Sequence, residues 1–104
     1  MVQLGYLEET VLLLIMVMEN EAYGFSVSEA YREHTGKKIS ISAIHTVLSR
    51  LEKKGLIVSS MGGASEERGG RRKRIFTATD DGKSVISELK SSRQQLWRRI
   101  PGLT

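Results

Sequence analysis

The chain has 104 residues, enough for one independently folding domain with little margin. With no cysteine it has no disulfide, thiolate nucleophile or Cys-ligated metal site, and it suits a reducing cytoplasm. The net charge of +4 is unevenly spread: residues 1–35 hold six glutamates against one arginine, and residues 36–104 hold fifteen Lys/Arg against six Asp/Glu. The basic part points to a polyanionic partner.

The first predicted helix runs from about Leu7 to Asn20. Its run V-L-L-L-I-M-V-M at 11–18 is apolar on every side, so it is expected to be central and buried. Eight residues are too few for a bilayer, which needs about 20. No basic residue precedes the run and no small-residue cleavage site follows it, so it is not read as a signal peptide either. Tyr23-Gly24 reads as a turn, and Ser26 with Glu29 as a capping box opening a second helix to about Thr35. Gly36 is placed to stop it. Val27, Ala30, Tyr31 and His34 share one face of that helix.

A third helix is expected from a Ser42 cap to Gly55. Ile44, Val47, Leu48 and Leu51 follow the i, i+3, i+4, i+7 spacing of one buried stripe. The opposite side carries Ser42, Thr46, Ser49 and Lys53, with His45 and Arg50 at its edges. A strand is predicted over Leu56–Met61, then a Gly/Ser/Glu-rich loop at 62–70, then a second strand over Arg72–Thr79 anchored by Ile75 and Phe76. The consecutive cations Arg71, Arg72, Lys73 and Arg74 enter that second strand. Strand alternation sends them to both faces, so one or two are expected to pair with Glu66, Glu67 or backbone and the others to meet phosphate. A helix with a polar-basic outer face beside a basic hairpin is a duplex-reading device: the helix suits the major groove and the hairpin the flanking phosphates.

A last helix starts near Thr79, with Asp80 and Asp81 at the positive end of its dipole, and Pro101-Gly102 ends it. Val85, Ile86, Leu89, Leu96, Trp97 and Ile100 form an interrupted apolar stripe. Such a helix, about 30 Å long, outreaches so small a domain. Its surplus apolar residues, Leu89, Leu96, Trp97 and Ile100, call for a second copy of the chain.

The stretches V-L-S-R-L-E-K-K-G-L-I (47–57), G-G-R-R-K-R-I-F (69–76) and T-A-T-D-D-G (77–82), in this order of elements, resemble the PadR-type transcriptional regulators. The resemblance extends from Leu7 to about Ile100, and the single C-terminal helix is similar to the small branch of that family. Two positions depart from the family pattern. His45 stands where tyrosine is usual, and Ile75-Phe76 where a pair of aromatics is usual.

The resemblance implies a mainly α fold with a two-stranded β-wing. Residues 1–79 would form a winged helix-turn-helix DNA-binding domain and 80–104 a C-terminal dimerisation helix. It implies a sequence-specific regulator, acting as a homodimer and repressor on a palindromic operator of double-stranded DNA. Release by a small aromatic ligand near Trp97 also follows from it.

The DNA-facing set is then Ser42, His45, Thr46, Ser49, Arg50, Lys53, Arg71, Arg72, Lys73 and Arg74. On pattern alone, the α-helical members read as a solvated face, and the basic wing beside them turns the reading to DNA contact; Arg50 reads equally as a partner of Glu52 or of a glutamate in the first helix, and Trp97 also reads as a packing residue at an interface. No catalytic motif, cofactor motif or metal-ligand spacing is present: the two histidines, eleven residues apart, have no cysteine or carboxylate at ligand spacing. The chain is therefore read as a non-enzyme without cofactor and without a membrane partner. The alternative is a winged-helix module that binds protein, RNA, or DNA without sequence choice.

Overall fold

The computed structural model describes residues 3–62 and 72–102. The described elements are α1 (Tyr6–Met18), α2 (Gly24–Thr35), α3 (Ile41–Lys53), β1 (Ile57–Met61), β2 (Arg74–Ala78) and α4 (Asp80–Arg98), with a short 3₁₀ turn at Glu19–Glu21. This is the expected mainly α fold with a two-stranded antiparallel wing and a long C-terminal helix. The loop at 63–70, with Glu66 and Glu67, lies outside the described residues, as does Arg71.

The core is one cluster. It joins Val11, Leu12 and Ile15 of α1, Val27 of α2, and Ile44, Val47, Leu48 and Leu51 of α3 with Leu56, Ile57, Phe76 and Val85. The four stripe residues of α3 are all buried, as their spacing predicts. The run at 11–18 is not buried all round. Leu13 and Val17, one turn apart on α1, face outward, and Val17 is 78% exposed. An apolar run has no sidedness of its own. Here α2, α3 and β2 cover only one side of it.

Two helix starts differ from their sequence expectation. α2 begins at Gly24, so Tyr23-Gly24 is the helix entry, not a separate turn. Ser26 is its third residue, not its cap: the Ser26 hydroxyl accepts from Tyr23 N–H at 2.9 Å and donates to the Glu21 carbonyl at 2.8 Å. Glu29 does not complete a capping box and pairs with Arg32 one turn on. α3 is capped by Ser40, whose Oγ accepts from Ala43 N–H at 3.0 Å, and not by Ser42. In both segments the helix begins ahead of the expected serine, with Tyr23 as the cap of α2 and Ser40 as the cap of α3.

The end of α3 follows expectation. Gly55 has φ of 76°, and the bonds Gly55 N–H to Glu52 C=O and Leu56 N–H to Leu51 C=O close a Schellman motif. β1 and β2 pair from Ile57↔Ala78 to Met61↔Arg74. Phe76 N–H also donates to Ala22 C=O at 2.8 Å, which ties the wing root to the entry of α2.

The T-x-x-G of 79–82 is a joint. Thr79 caps α4 by accepting from Gly82 N–H at 3.0 Å, and its hydroxyl donates to the Gly55 carbonyl at 2.7 Å. A Cβ on Gly82 would come 2.2 Å from the Leu56 carbonyl oxygen, so only glycine lets α4 start this close to the α3–β1 turn.

Candidate nucleic-acid interface

On α3, Ser42, His45, Thr46, Ser49, Arg50 and Lys53 are all exposed, while Ile44, Val47, Leu48 and Leu51 hold the opposite face in the core. The amphipathic split therefore presents the whole polar row outward on a rigidly anchored helix. Thr46 is partly self-satisfied: its hydroxyl donates to the Ser42 carbonyl at 3.1 Å, a common way for helical threonine to spend its proton.

The fold brings the front of α3 to the wing. A groove of about 380 Å³ is lined by Tyr23, Phe25 and Gly24 of the α2 entry, Ile41 and His45 of α3, and Arg72, Lys73, Arg74 and Phe76. His45 thus stands with three of the four wing cations. Its ring also packs on Gly24, where a Cβ would meet the imidazole at 3.0 Å. This contact gives His45 a packing partner as well as an exposed edge.

The wing cations differ in engagement. Arg74 donates from Nη1 to Ser59 Oγ at 3.0 Å, and Ser59 donates to Glu52 Oε2 at 3.1 Å. Lys73 sits over the Tyr23 ring, with Nζ 3.6 Å from the centroid. Arg72 is exposed and has no ion pair among the described residues. Two of the cations are thus engaged within the chain, but by the Ser59 hydroxyl and the Tyr23 ring and not by the expected backbone, while the other expected partners, Glu66 and Glu67, lie outside the described residues.

Arg50 lies at the other edge of α3. The first-helix glutamate near it, Glu8, is paired by Lys54 at 2.7 Å instead, and Glu52 serves Ser59. The Lys54 hydrogen bond is the main reason the Glu8 carboxyl is held below its ordinary range, with a smaller through-space pull from Arg50. Lys54 was invisible as a structural residue in the sequence, because a pair separated by 46 positions leaves no spacing signal. Phe25 and Ile41 were also missed as members of this face. Phe25 lies between the expected turn at Tyr23-Gly24 and the expected helix start at Ser26, and Ile41 falls just outside the stripe of α3.

The second predicted cluster divides. Leu96, Trp97 and Ile100 are exposed. Leu89 is not part of that free surface, being half-buried against the chain's own core. Trp97 lines a second groove, about 300 Å³, with Leu13, Ile86, Glu9, Lys90 and Arg93 between α1 and α4. An ion pair from Arg93 to Glu9 bridges the two helices there.

His34 is exposed at the far end of α2, and no group of three His, Cys, Asp or Glu among the described residues is arranged to hold a metal ion. No described helix is long and apolar enough to cross a membrane.

Comparison with known proteins agrees with this geometry. The model of the transcriptional regulator PadR-like family matches residues 12–88, from the buried side of α1 to the middle of α4. A transcriptional regulator of Mycobacterium tuberculosis is 30% identical over 86 residues, covering 81% of this chain and 74% of that protein. An uncharacterized protein of Lysinibacillus sphaericus is 34% identical over 87 residues, covering 82% and 75%. The crystal structure of a PadR-like transcriptional regulator from Bacillus cereus superposes with a TM-score of 0.70 at 27% identity, covering 86% of this chain and 82% of that one. With three quarters of its length matched by one family of regulators, the chain belongs to the PadR-like family of DNA-binding transcriptional regulators.

Proposed function

We propose that the protein is a homodimeric, sequence-specific repressor in the cytoplasm that reads a palindromic operator with α3 and grips the flanking backbone with its wing. The observation that carries the reading is the shared groove: His45 of α3 and Arg72, Lys73 and Arg74 of the wing line one concavity. Base-edge and phosphate contacts are then made by adjoining surfaces of one rigid body. Ser42, Thr46, Ser49 and Lys53 extend the row along α3, with Arg50 at its far edge, and Arg71 precedes the wing cations in the sequence.

The dimer is supported by what the single chain leaves uncovered. Leu13 and Val17 of α1 and Leu96, Trp97 and Ile100 at the end of α4 are all exposed, and they need an apolar partner. A second copy supplies one, with residues 80–104 acting as the dimerisation helix. Two such copies place two α3 helices on half-sites about one helical turn apart, or a small multiple of it. The groove beside Trp97 would then receive a flat aromatic ligand, which lowers operator affinity only if it binds the two dimer shapes unequally.

The deciding experiment is fluorescence anisotropy against a selected duplex pool and random duplexes over a range of salt. Tight, sequence-selective binding by a species of twice 11.6 kDa is expected. Neutralising Arg72 should reduce the log–log salt slope by about 0.9 for one lost phosphate contact. Arg74, held by Ser59, should reduce it less. Ser49→Ala should change sequence preference and leave the slope alone. Equal affinity for every sequence would refute the operator reading.

A further inference from the structure

The groove at the wing root contains a feature that charge does not explain. Among its cations stand two exposed apolar side chains, Ile41 at the first residue of α3 and Phe25 at the second residue of α2. They are 41% and 58% exposed. The apolar residues at the ends of α1 and α4 have a ready partner in a second copy of the chain, but these two lie on the other working face, beside His45 and Arg72–Arg74. Ile41 is one helical turn before His45, so the two side chains lie on the same side of α3. The first turn of a helix lying in the major groove is the part that meets base edges.

An isoleucine there has no hydrogen bond to give or take. Pressed against a donor or acceptor edge it would strip water from that edge and return nothing. The major-groove edge of a base pair offers one apolar group, the 5-methyl of thymine. We propose that Ile41, walled by Phe25, is the seat for a thymine methyl, so that this end of α3 selects thymine at one position of each half-site by apolar contact. The cations on the rim hold the adjoining backbone and keep the base edge in register. The proposal rests on the duplex-reading face argued above and adds to it a base identity and the residue that reads it.

The test uses the full chain and duplexes selected by it from a random pool. Each thymine is replaced in turn by deoxyuridine, which removes the methyl and keeps every hydrogen-bonding group. For the wild-type chain, one position per half-site should lose about fourfold in affinity, the worth of one buried carbon group. Ile41→Ala should bind the thymine and uracil duplexes alike at that position, with its salt slope unchanged. Phe25→Ala should shrink the difference. Ile41→Val, which keeps a branched apolar contact, should retain most of it, and Ile41→Ser, which removes that contact, serves as the reading variant if Ile41→Ala is poorly folded by circular dichroism. The proposal is overturned if no thymine is sensitive, or if Ile41→Ala or Ile41→Ser loses affinity while keeping the full thymine–uracil difference. A pool that shows no sequence choice would instead overturn the operator reading, and this one with it. Selective binding without methyl sensitivity overturns this one alone.

Discussion

α3 and α4 are both amphipathic helices, and the chain completes only one of them. Each apolar residue in the stripe of α3 is buried by α1, α2 and the wing, and its cap and its Schellman end are both formed within the chain. α4 is buried at Gly82 and Val85, half-buried at Ile86 and Leu89, and exposed at every residue from Lys90 to Ile100. Its 19 residues extend about 28 Å, and the molecule is drawn out to 57 × 29 × 20 Å. The comparison teaches that an apolar stripe states a need for a partner and not which chain provides it. α3 is positioned before any encounter, as a reading element must be. The free end of α4 leaves its apolar area uncovered, and in the reading proposed above a second copy covers it.

The widest separation between the two helices should come from alanine at one apolar position of each. Leu48→Ala removes a fully buried side chain, and we expect a loss of about 2–5 kcal/mol in chemical denaturation at any protein concentration. Trp97→Ala, at a position 55% exposed in the single chain, should cost stability only where wild type is assembled. Its signature is loss of the concentration dependence of Tm, with a monomeric mass in light scattering. An unchanged dimer would place the interface elsewhere and break the comparison.

Gly82→Ala tests the anchored end of α4. The new Cβ would strike the Leu56 carbonyl, and backbone cannot turn aside as a side chain does. A loss of about 1–3 kcal/mol is expected, with α4 shifted from the α3–β1 turn. If the variant is as stable as wild type, the joint is looser than its hydrogen bonds at Thr79 indicate.

The smallest expected effect is electrostatic and belongs to the α3 side. Glu8 pairs with Lys54, and its carboxyl is held below the ordinary carboxylate range. Its folded value is lower than its unfolded one. The pair's contribution is therefore present at neutral pH and lost as pH falls through the carboxylate range. For a pair near the surface this is at most about 1 kcal/mol. Glu8→Gln should lower neutral-pH stability by that amount and flatten the acid limb of the pH profile between wild type and variant. An identical acid limb in both would assign the acid sensitivity to other carboxylates.

Much of the fold was legible in the chain itself, because it is written in local patterns. The stripe Ile44–Val47–Leu48–Leu51, the glycine stops at Gly36 and Gly55, the paired strands and the T-D-D-G entry to α4 each depend on spacing within a few residues. Spacing is what a helix turn or a strand pleat enforces. The polar row of α3 was legible for the same reason, as the complement of its stripe. What tertiary structure decided were relations between distant segments. It chose Ser40 over Ser42 as a cap and made Ser26 a brace for the entry to α2. It paired Lys54 with Glu8, set Lys73 on Tyr23 and Arg74 on Ser59, and turned Leu13 and Val17 outward from a run with no sidedness of its own. It also carried Phe25 and Ile41 to one groove beside the wing cations. Local propensity acts through the i to i+4 neighbourhood. These contacts are selected by the packing of whole elements, where the energy of each depends on surfaces that meet only after the chain has folded.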